Sequence, residues 1–429
     1  MRLSQCALLV AASLSVFPAT AQKSEIVQGQ KGTITEVGDV LQIALPAGAL
    51  VGSLWIGDKE GAWQLTKGVA TTVVATHSLK LGFGKLRPDA STHNSFPSGH
   101  TSAAFSGAAF LHHRYGNAWA IPAYGAASFV GASRLYANRH YLDDVISGAS
   151  IAVFSSLYWT SPYASNEVVV TPSVASDRVA VNFSYALGAA TAATTVTQAQ
   201  PSDFDYRYEL VLGGARTKHN WVNYNSNQQF GLHQFDQKEE PSTFASAMFT
   251  MGLQESHQLL FNLTPFEGRD STKLTAPIQF GDVSYDAGDE VISAYRLWGL
   301  SADYNYRFNK NSDWITEAGV GALVQYQRIE LDQYEGGKLS SKGQWLLWPV
   351  VNATLGYRFN DDISLSVNGR YSKLGSDDYS EVMSRVNYQI NPQWNAALNY
   401  GYYQHQYEKS ELANKVAYDV IGLTLGYSF

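Results

Sequence analysis

The sequence holds one cysteine in 429 residues, Cys6, and only four methionines. Cys6 lies within the first apolar stretch, too near the start to be a lipid-attachment site. The remaining chain therefore has neither disulfide staples nor thiolate chemistry. No grouping of His, Cys and Asp has metal-ligand spacing, so no metal is expected. Positive charge is also short: the net charge of −7 argues against a nucleic-acid partner. The apolar stretch Cys6 to Val16 is too short to span a bilayer comfortably. It follows Arg2 and precedes Ala19-Thr20-Ala21, a small-x-small cleavage site. Residues 1–21 therefore read as an export signal, and the mature chain as starting at Gln22.

What is abundant is aromatic. The chain carries 26 tyrosines and 10 tryptophans, a composition suited to a membrane–water boundary. Its length allows two or three domains, and its hydrophobic period changes once. After a polar lead-in to about residue 38, the chain to about Tyr163 is rich in Ala, Gly, Ser and Val. Three helix-length stretches there lack Asp, Glu, Lys and Arg: Val40 to Gly57, Tyr115 to Ser133 and Val145 to Asn166. Their small and hydroxylated residues suggest closely packed helices buried inside a bundle. From about Glu167 the period is two. Ile363, Leu365, Val367, Gly369 and Tyr371 alternate with Ser364, Ser366, Asn368 and Arg370, and the pattern recurs around Leu300, Val351 and Trp394.

Such alternation suits an antiparallel sheet, and three features favour a barrel in lipid over a soluble sandwich. Aromatic rings flank tight polar turns: Phe308 and Trp314, Phe359, and Trp394. The opposite connections, such as Glu335–Lys342 and Glu408–Lys415, are longer and more polar. The last residues alternate and end on Phe429. Together these predict an α+β multidomain chain: signal 1–21, an all-helical domain 22–165, and an antiparallel transmembrane β-barrel over 166–429 of about 12 strands. The stretches Gln228–Glu240 and Pro265–Glu290 read as possible long loops.

Chemistry concentrates between Lys80 and Asp144. Lys80 is followed after six residues by Arg87-Pro88, then by Pro97-Ser98-Gly99-His100, then by Ser133-Arg134 with His140 and Asp144. A phosphate needs several fixed donors. Lys80 offers a point charge, and Arg87 and Arg134 offer planar forks. Ser98 can cap a helix over Thr101 to Phe110, turning backbone N–H groups of Gly99 and His100 toward an anion, and Gly99 leaves room for close approach. His140 and Asp144, spaced i, i+4, would share a helix face. Asp144 would then hold the His140 Nδ1 proton and leave Nε2 free to attack phosphorus, with His100 protonating the leaving oxygen. Outside these blocks, Lys85 and Asp143 read as solvated charges, His77 and His93 as surface residues, and His112-His113 as a helix end where imidazolium suits the dipole.

The three blocks resemble those of the type 2 phosphatidic acid phosphatase superfamily at every position, over roughly residues 40–163. The resemblance implies a helical core and cofactor-free hydrolysis of phosphomonoesters or pyrophosphates. It further implies Lys80, Arg87, Ser98, Gly99 and Arg134 as phosphate ligands, His140 as nucleophile, His100 as acid–base and Asp144 as its orienter. Phe429 resembles the terminal residue of bacterial outer-membrane barrels, which implies recognition by the barrel-assembly machinery. A chain bound for the outer membrane must cross the inner one, so the helical part is expected to be periplasmic rather than spanning. The expected substrate is then a phospholipid phosphate or a lipid A phosphate. A nonspecific periplasmic acid phosphatase is one alternative. A barrel transporter carrying an idle helical domain is another.

Overall fold

The computed structural model describes residues 32–163, 168–175, 178–185, 205–224, 229–232, 241–254, 256–309, 312–334, 337–408 and 411–429. The expected export signal and the connection 164–167 lie outside them. The chain divides into two compact units, residues 1–198 and 199–429.

The first unit contains five helices among its described residues: α1 (Thr33–Trp55), α2 (Lys59–Phe83), α3 (Gly99–Tyr115), α4 (Asn117–Tyr136) and α5 (Leu142–Trp159). A short hairpin follows, β1 (Val168–Ala175) and β2 (Arg178–Tyr185). Small residues form the seams. Ala104 and Ala108 of α3 meet Ala123, Ala127 and Val130 of α4, with Leu41 and Leu45 of α1 packed against them. Buried serines on α3 and α5 are satisfied locally: Ser106, Ser147, Ser150 and Ser155 each donate to the carbonyl four residues back. Gly148 lets α5 approach the start of α3, since a Cβ there would sit 2.5 Å from the Ser98 carbonyl oxygen.

The charge-free stretch at residue 40 is not buried as its small residues suggest. Helix α1 starts within the expected lead-in, and only Gly38, Ala49 and Ser53 along it are buried. Val37, Val40, Ile43, Val51 and Leu54 are exposed and recur on one face of the helix. Helix α1 is long and apolar enough to cross a membrane. On α2, Trp63, Val74 and Leu81 form a similar exposed stripe.

The second unit is a closed antiparallel barrel of ten strands: β3 (Tyr206–Tyr224), β5 (Ser242–Gln254), β6 (His257–Lys273), β9 (Glu290–Arg307), β10 (Trp314–Gln333), β11 (Leu339–Arg358), β12 (Ile363–Leu374), β13 (Asp377–Gln389), β14 (Trp394–Glu408) and β15 (Leu412–Ser428). Closure comes from β15 pairing with β3, from Leu412↔Tyr224 to Ser428↔Arg207. The two-residue β4 (Phe230–Gly231) pairs only with β3. The expected count of about 12 becomes ten in the ring because β1 and β2 pair with each other instead.

The possible loop Pro265–Glu290 is largely strand, whereas most of Gln228–Glu240 lies outside the described residues. β6 runs to Lys273 along β9, and β7 (Ile278–Phe280) with β8 (Val283–Tyr285) fills part of the rest. Likewise β11 starts within the expected connection Glu335–Lys342, and β14 and β15 reach into Glu408–Lys415. A 20-residue strand such as β10 is about 65 Å long at about 3.3 Å per residue. That exceeds the apolar band of about 25 Å typical of such barrels even after tilting. The ends beyond the band keep their ladder bonds while their side chains turn polar.

The faces run opposite to those of a soluble sheet. Ser301, Asp303 and Asn305 are buried in the interior, while Tyr304, Tyr306, Leu365, Val367, Leu398, Ile421 and Leu423 are exposed outside. At the short-turn end, Phe308, Trp314, Phe359 and Phe429 are exposed, with edge contacts Tyr306–Phe308, Trp314–Tyr357 and Tyr427–Phe429. At that end the interior is polar: Arg370 bridges Asp303 and Glu381, and Arg385 pairs with Glu209. Toward the other end it is filled by apolar groups, among them Leu331, Trp348, Tyr407 and Leu412. Phe266, Tyr418 and Tyr403 stack there in succession, at centroid distances of 4.1 and 4.9 Å.

Candidate active site

The site begins with two helix starts held together. Ser98 caps α3, its hydroxyl accepting from the Thr101 N–H at 3.4 Å. The Ser98 N–H donates to the Asp144 carbonyl at 2.9 Å, fixing the start of α3 to the first turn of α5. His140 precedes α5 rather than lying on it, so His140 and Asp144 do not share a helix face. They meet because Asp144 folds back over the helix start. Its carboxylate accepts from the Tyr141 N–H at 2.8 Å and lies 3.3 Å from His140 Nδ1.

Asp144 is fully buried. Burial raises its pKa, but Lys85, His140 and Ser95 outweigh this and hold it well below the usual carboxylate range. Lys85 is not the solvated charge its sequence position suggests. Its Nζ lies 2.7 Å from Asp143 and 3.2 Å from Asp144, and 4.1 Å from the Tyr141 ring centroid. Asp143 is likewise buried in this cluster, not solvated. Ser95 Oγ completes the shell at 2.5 Å from Asp144 Oδ2. Sequence reasoning missed Lys85, Asp143 and Ser95, since their roles come from tertiary approach. The repeated acid at Asp143-Asp144 after a histidine was the only signal.

Arg87, His100, Arg134 and His140 open onto one cavity of about 290 Å³, whose wall includes Thr35, Glu36, Asp39 and Arg139. Lys80, Ser98 and Gly99 are not among the residues that line it, although Lys80 lies close to Gly99. The Lys80 Nζ donates to the Asn94 carbonyl at 2.5 Å, and a Cβ on Gly99 would meet the Lys80 Cε at 3.8 Å. Arg87 Nε donates to the Asn94 side-chain oxygen at 2.9 Å, making Asn94 a further unforeseen organiser. Arg139 pairs with Asp89 at 2.8 Å. Arg134 Nε donates to Ser133 Oγ, NH1 to Asp39 Oδ1 at 2.7 Å and NH2 to the Thr35 carbonyl at 2.9 Å.

Both imidazoles are shifted toward the neutral form. Burial and Arg134 push His100 down to about 4, against Asp39, which raises it. Burial likewise lowers His140, against Asp144. Burial brings Lys80 down to about 8, with Asp144 opposing and Arg87 assisting.

His77 lies exposed on α2, its Nδ1 2.9 Å from the Val73 carbonyl oxygen, and His93 is exposed in the loop before α3. His112 and His113 do end α3. Burial lowers the pKa of both, which works against the expected imidazolium form. Burial pushes His113 down to about 3, and its Nδ1 lies 2.8 Å from Ser156 Oγ. No group of three metal-ligating side chains occurs among the described residues.

The sequence from 61 to 166 matches the PAP2 superfamily model. The lipid A 1-phosphatase of Porphyromonas gingivalis is 42% identical over 87 residues, covering 19% of this chain and 20% of that protein. The lipid A 4'-phosphatase of Helicobacter pylori is 32% identical over 180 residues, covering 38% of this chain and 90% of that protein. Among solved structures, Aquifex aeolicus LpxE aligns at 26% identity with a TM-score of 0.27, covering 29% of this chain and 81% of its own. The translocator domain of the autotransporter NalP from Neisseria meningitidis aligns at 12% identity with a TM-score of 0.30, covering 54% of this chain and 90% of its own.

Proposed function

The chain belongs to the PAP2 superfamily, and on that footing we propose that it is a phosphatase of membrane lipid phosphates working through a phosphohistidine. The observation that carries this reading is the single cavity onto which Arg87, His100, Arg134 and His140 all open. Lys80, Arg87 and Arg134, with the backbone around Ser98 and Gly99, hold the phosphate. Asp144 keeps the His140 proton on Nδ1, and the neutral ring presents the Nε2 lone pair to phosphorus. As the N–P bond forms, the ester P–O bond breaks and the leaving oxygen takes a proton from His100. His100 then removes a proton from water. The resulting hydroxide displaces His140, and inorganic phosphate leaves.

His100 is neutral in the empty site above about pH 4, so it must gain its proton with the substrate. A phosphate seated beside it supplies the negative charge that favours the imidazolium.

A lipid substrate is supported by the exposed apolar faces of α1 and α2, since α1 also lends Thr35, Glu36 and Asp39 to the cavity. A helix that borders the site and presents Val40, Ile43 and Leu54 outward suits a lipid surface. The outer membrane is supported by the barrel's apolar exterior and aromatic end. The chain enters the barrel at Tyr206, at the short-turn end, where the Phe429 N–H donates to the Tyr206 carbonyl at 2.8 Å. Short turns face the periplasm in such barrels, so the helical unit is proposed to work there.

Wild type and His140→Ala are to be compared for phosphate release from lipid A and phosphatidic acid in micelles and from p-nitrophenyl phosphate. The expected loss in H140A is at least about a thousandfold. Equal rates would sink the phosphatase reading, and equal preference for the soluble ester would favour a nonspecific acid phosphatase.

A further inference from the structure

Asp39 belongs to no motif block and lies on α1, outside the stretch that matches the superfamily. One of its oxygens nevertheless meets two groups of the proposed site. Oδ1 is 2.7 Å from Arg134 NH1 and 3.1 Å from His100 Nε2. The carboxylate is half-exposed within the cavity and is not locked into the protein core. Gly38 makes this contact possible. A Cβ there would sit 2.2 Å from Ser133 Oγ and 2.7 Å from Arg134 NH2, so only glycine lets α1 come close enough. Next to Asp39, the Thr35 carbonyl takes the other arm of the same guanidinium.

We propose that Asp39 is a positioning residue that occupies the oxyanion seat of the empty site and yields it to the substrate phosphate. A single anionic oxygen shared between a guanidinium and an imidazole is the contact a phosphate oxygen makes. Until substrate arrives, Asp39 holds Arg134 and His100 in place. When phosphate enters, it takes over both donors and the carboxylate swings toward solvent, for which its exposure leaves room. Holding Arg134 and His100 ready comes at the expense of anion affinity, because a bound carboxylate competes with and repels the incoming dianion. This rests on the phosphatase reading, in which Arg134 and His100 face the phosphate.

The test is calorimetric titration of inorganic phosphate into the full-length protein in detergent: wild type, Asp39→Asn and Asp39→Glu. Asn keeps the shape and removes the charge, so D39N should bind phosphate about threefold to tenfold more tightly. D39E keeps the charge and should not gain affinity. In turnover, the D39N change should lie in KM rather than kcat, whereas a variant that merely loosened the site would bind phosphate less well. Equal or weaker phosphate binding by D39N overturns the assignment while leaving the phosphatase reading intact. Failure of wild type and D39N alike to bind phosphate overturns both.

Discussion

Lys80 sets the expected alkaline limit of the site. Burial brings its ammonium down to about 8, with Asp144 opposing and Arg87 assisting. The group is charged below that value and loses its charge as pH rises through it. The kcat/KM for a phosphate ester should therefore fall above about pH 8. In Lys80→Arg the cation persists, so the fall should move to higher pH. An alkaline limb that stays in place in K80R would assign it to another group. The residues of the three blocks were legible in the sequence because each block is a short local unit with fixed spacing. Lys85 and Asp143 were not, because their meaning depends on α5 starting against the loop after α2. Asp39 was not legible either. It sits at the boundary between the expected lead-in and the first helix, in no motif block, and its role arises where α1 crosses Ser133 and Arg134.

Helix α2 starts where α3 ends, and a buried ion pair joins them. Arg114 spans the Asp58 carboxylate at 2.8 and 2.6 Å, while the Gly61 N–H and Tyr115 hydroxyl fill its remaining acceptor sites. Burial raises the Asp58 pKa, but Arg114, Gly61 and Tyr115 outweigh it and hold it low. The contribution to stability is thus present above the usual carboxylate range and is lost as pH falls through the depressed value. Arg114→Met leaves Asp58 ionised and buried without its partner. It should destabilise the helical unit by about 3 kcal/mol or more, read from thermal unfolding by circular dichroism. A loss below about 1 kcal/mol would mean that water reaches Asp58. The strands after about Val291 were legible because period two is unambiguous when one face is strictly apolar, whereas β3, β5 and β6 before it were not. The ends of the later strands were not legible either, since polar residues beyond the apolar band keep pairing as β10 and β11 do. The exposure of α1 was missed for a related reason. Small residues mark its buried seam, but the large apolar residues between them point away from the bundle.

As a whole, the molecule joins two units held by different forces. The helical unit rests on small-residue seams and a few buried polar clusters. The barrel is a closed ladder that must come apart as a ring. Heating the detergent-solubilised protein should therefore give two transitions, the helical unit unfolding first. Inorganic phosphate should raise only the first, because it binds only that unit's folded state. A single transition, or a phosphate effect on the barrel, would count against independent units. The stacked rings of Phe266, Tyr418 and Tyr403 and the apolar groups around them have a physiological consequence. Most large openings in an outer envelope admit toxins along with nutrients, which limits how many copies a cell tolerates. A cylinder stoppered by its own side chains carries no such penalty. On the proposed outer-membrane placement, an enzyme moored this way can be abundant without making its host leaky to bulky antibiotics.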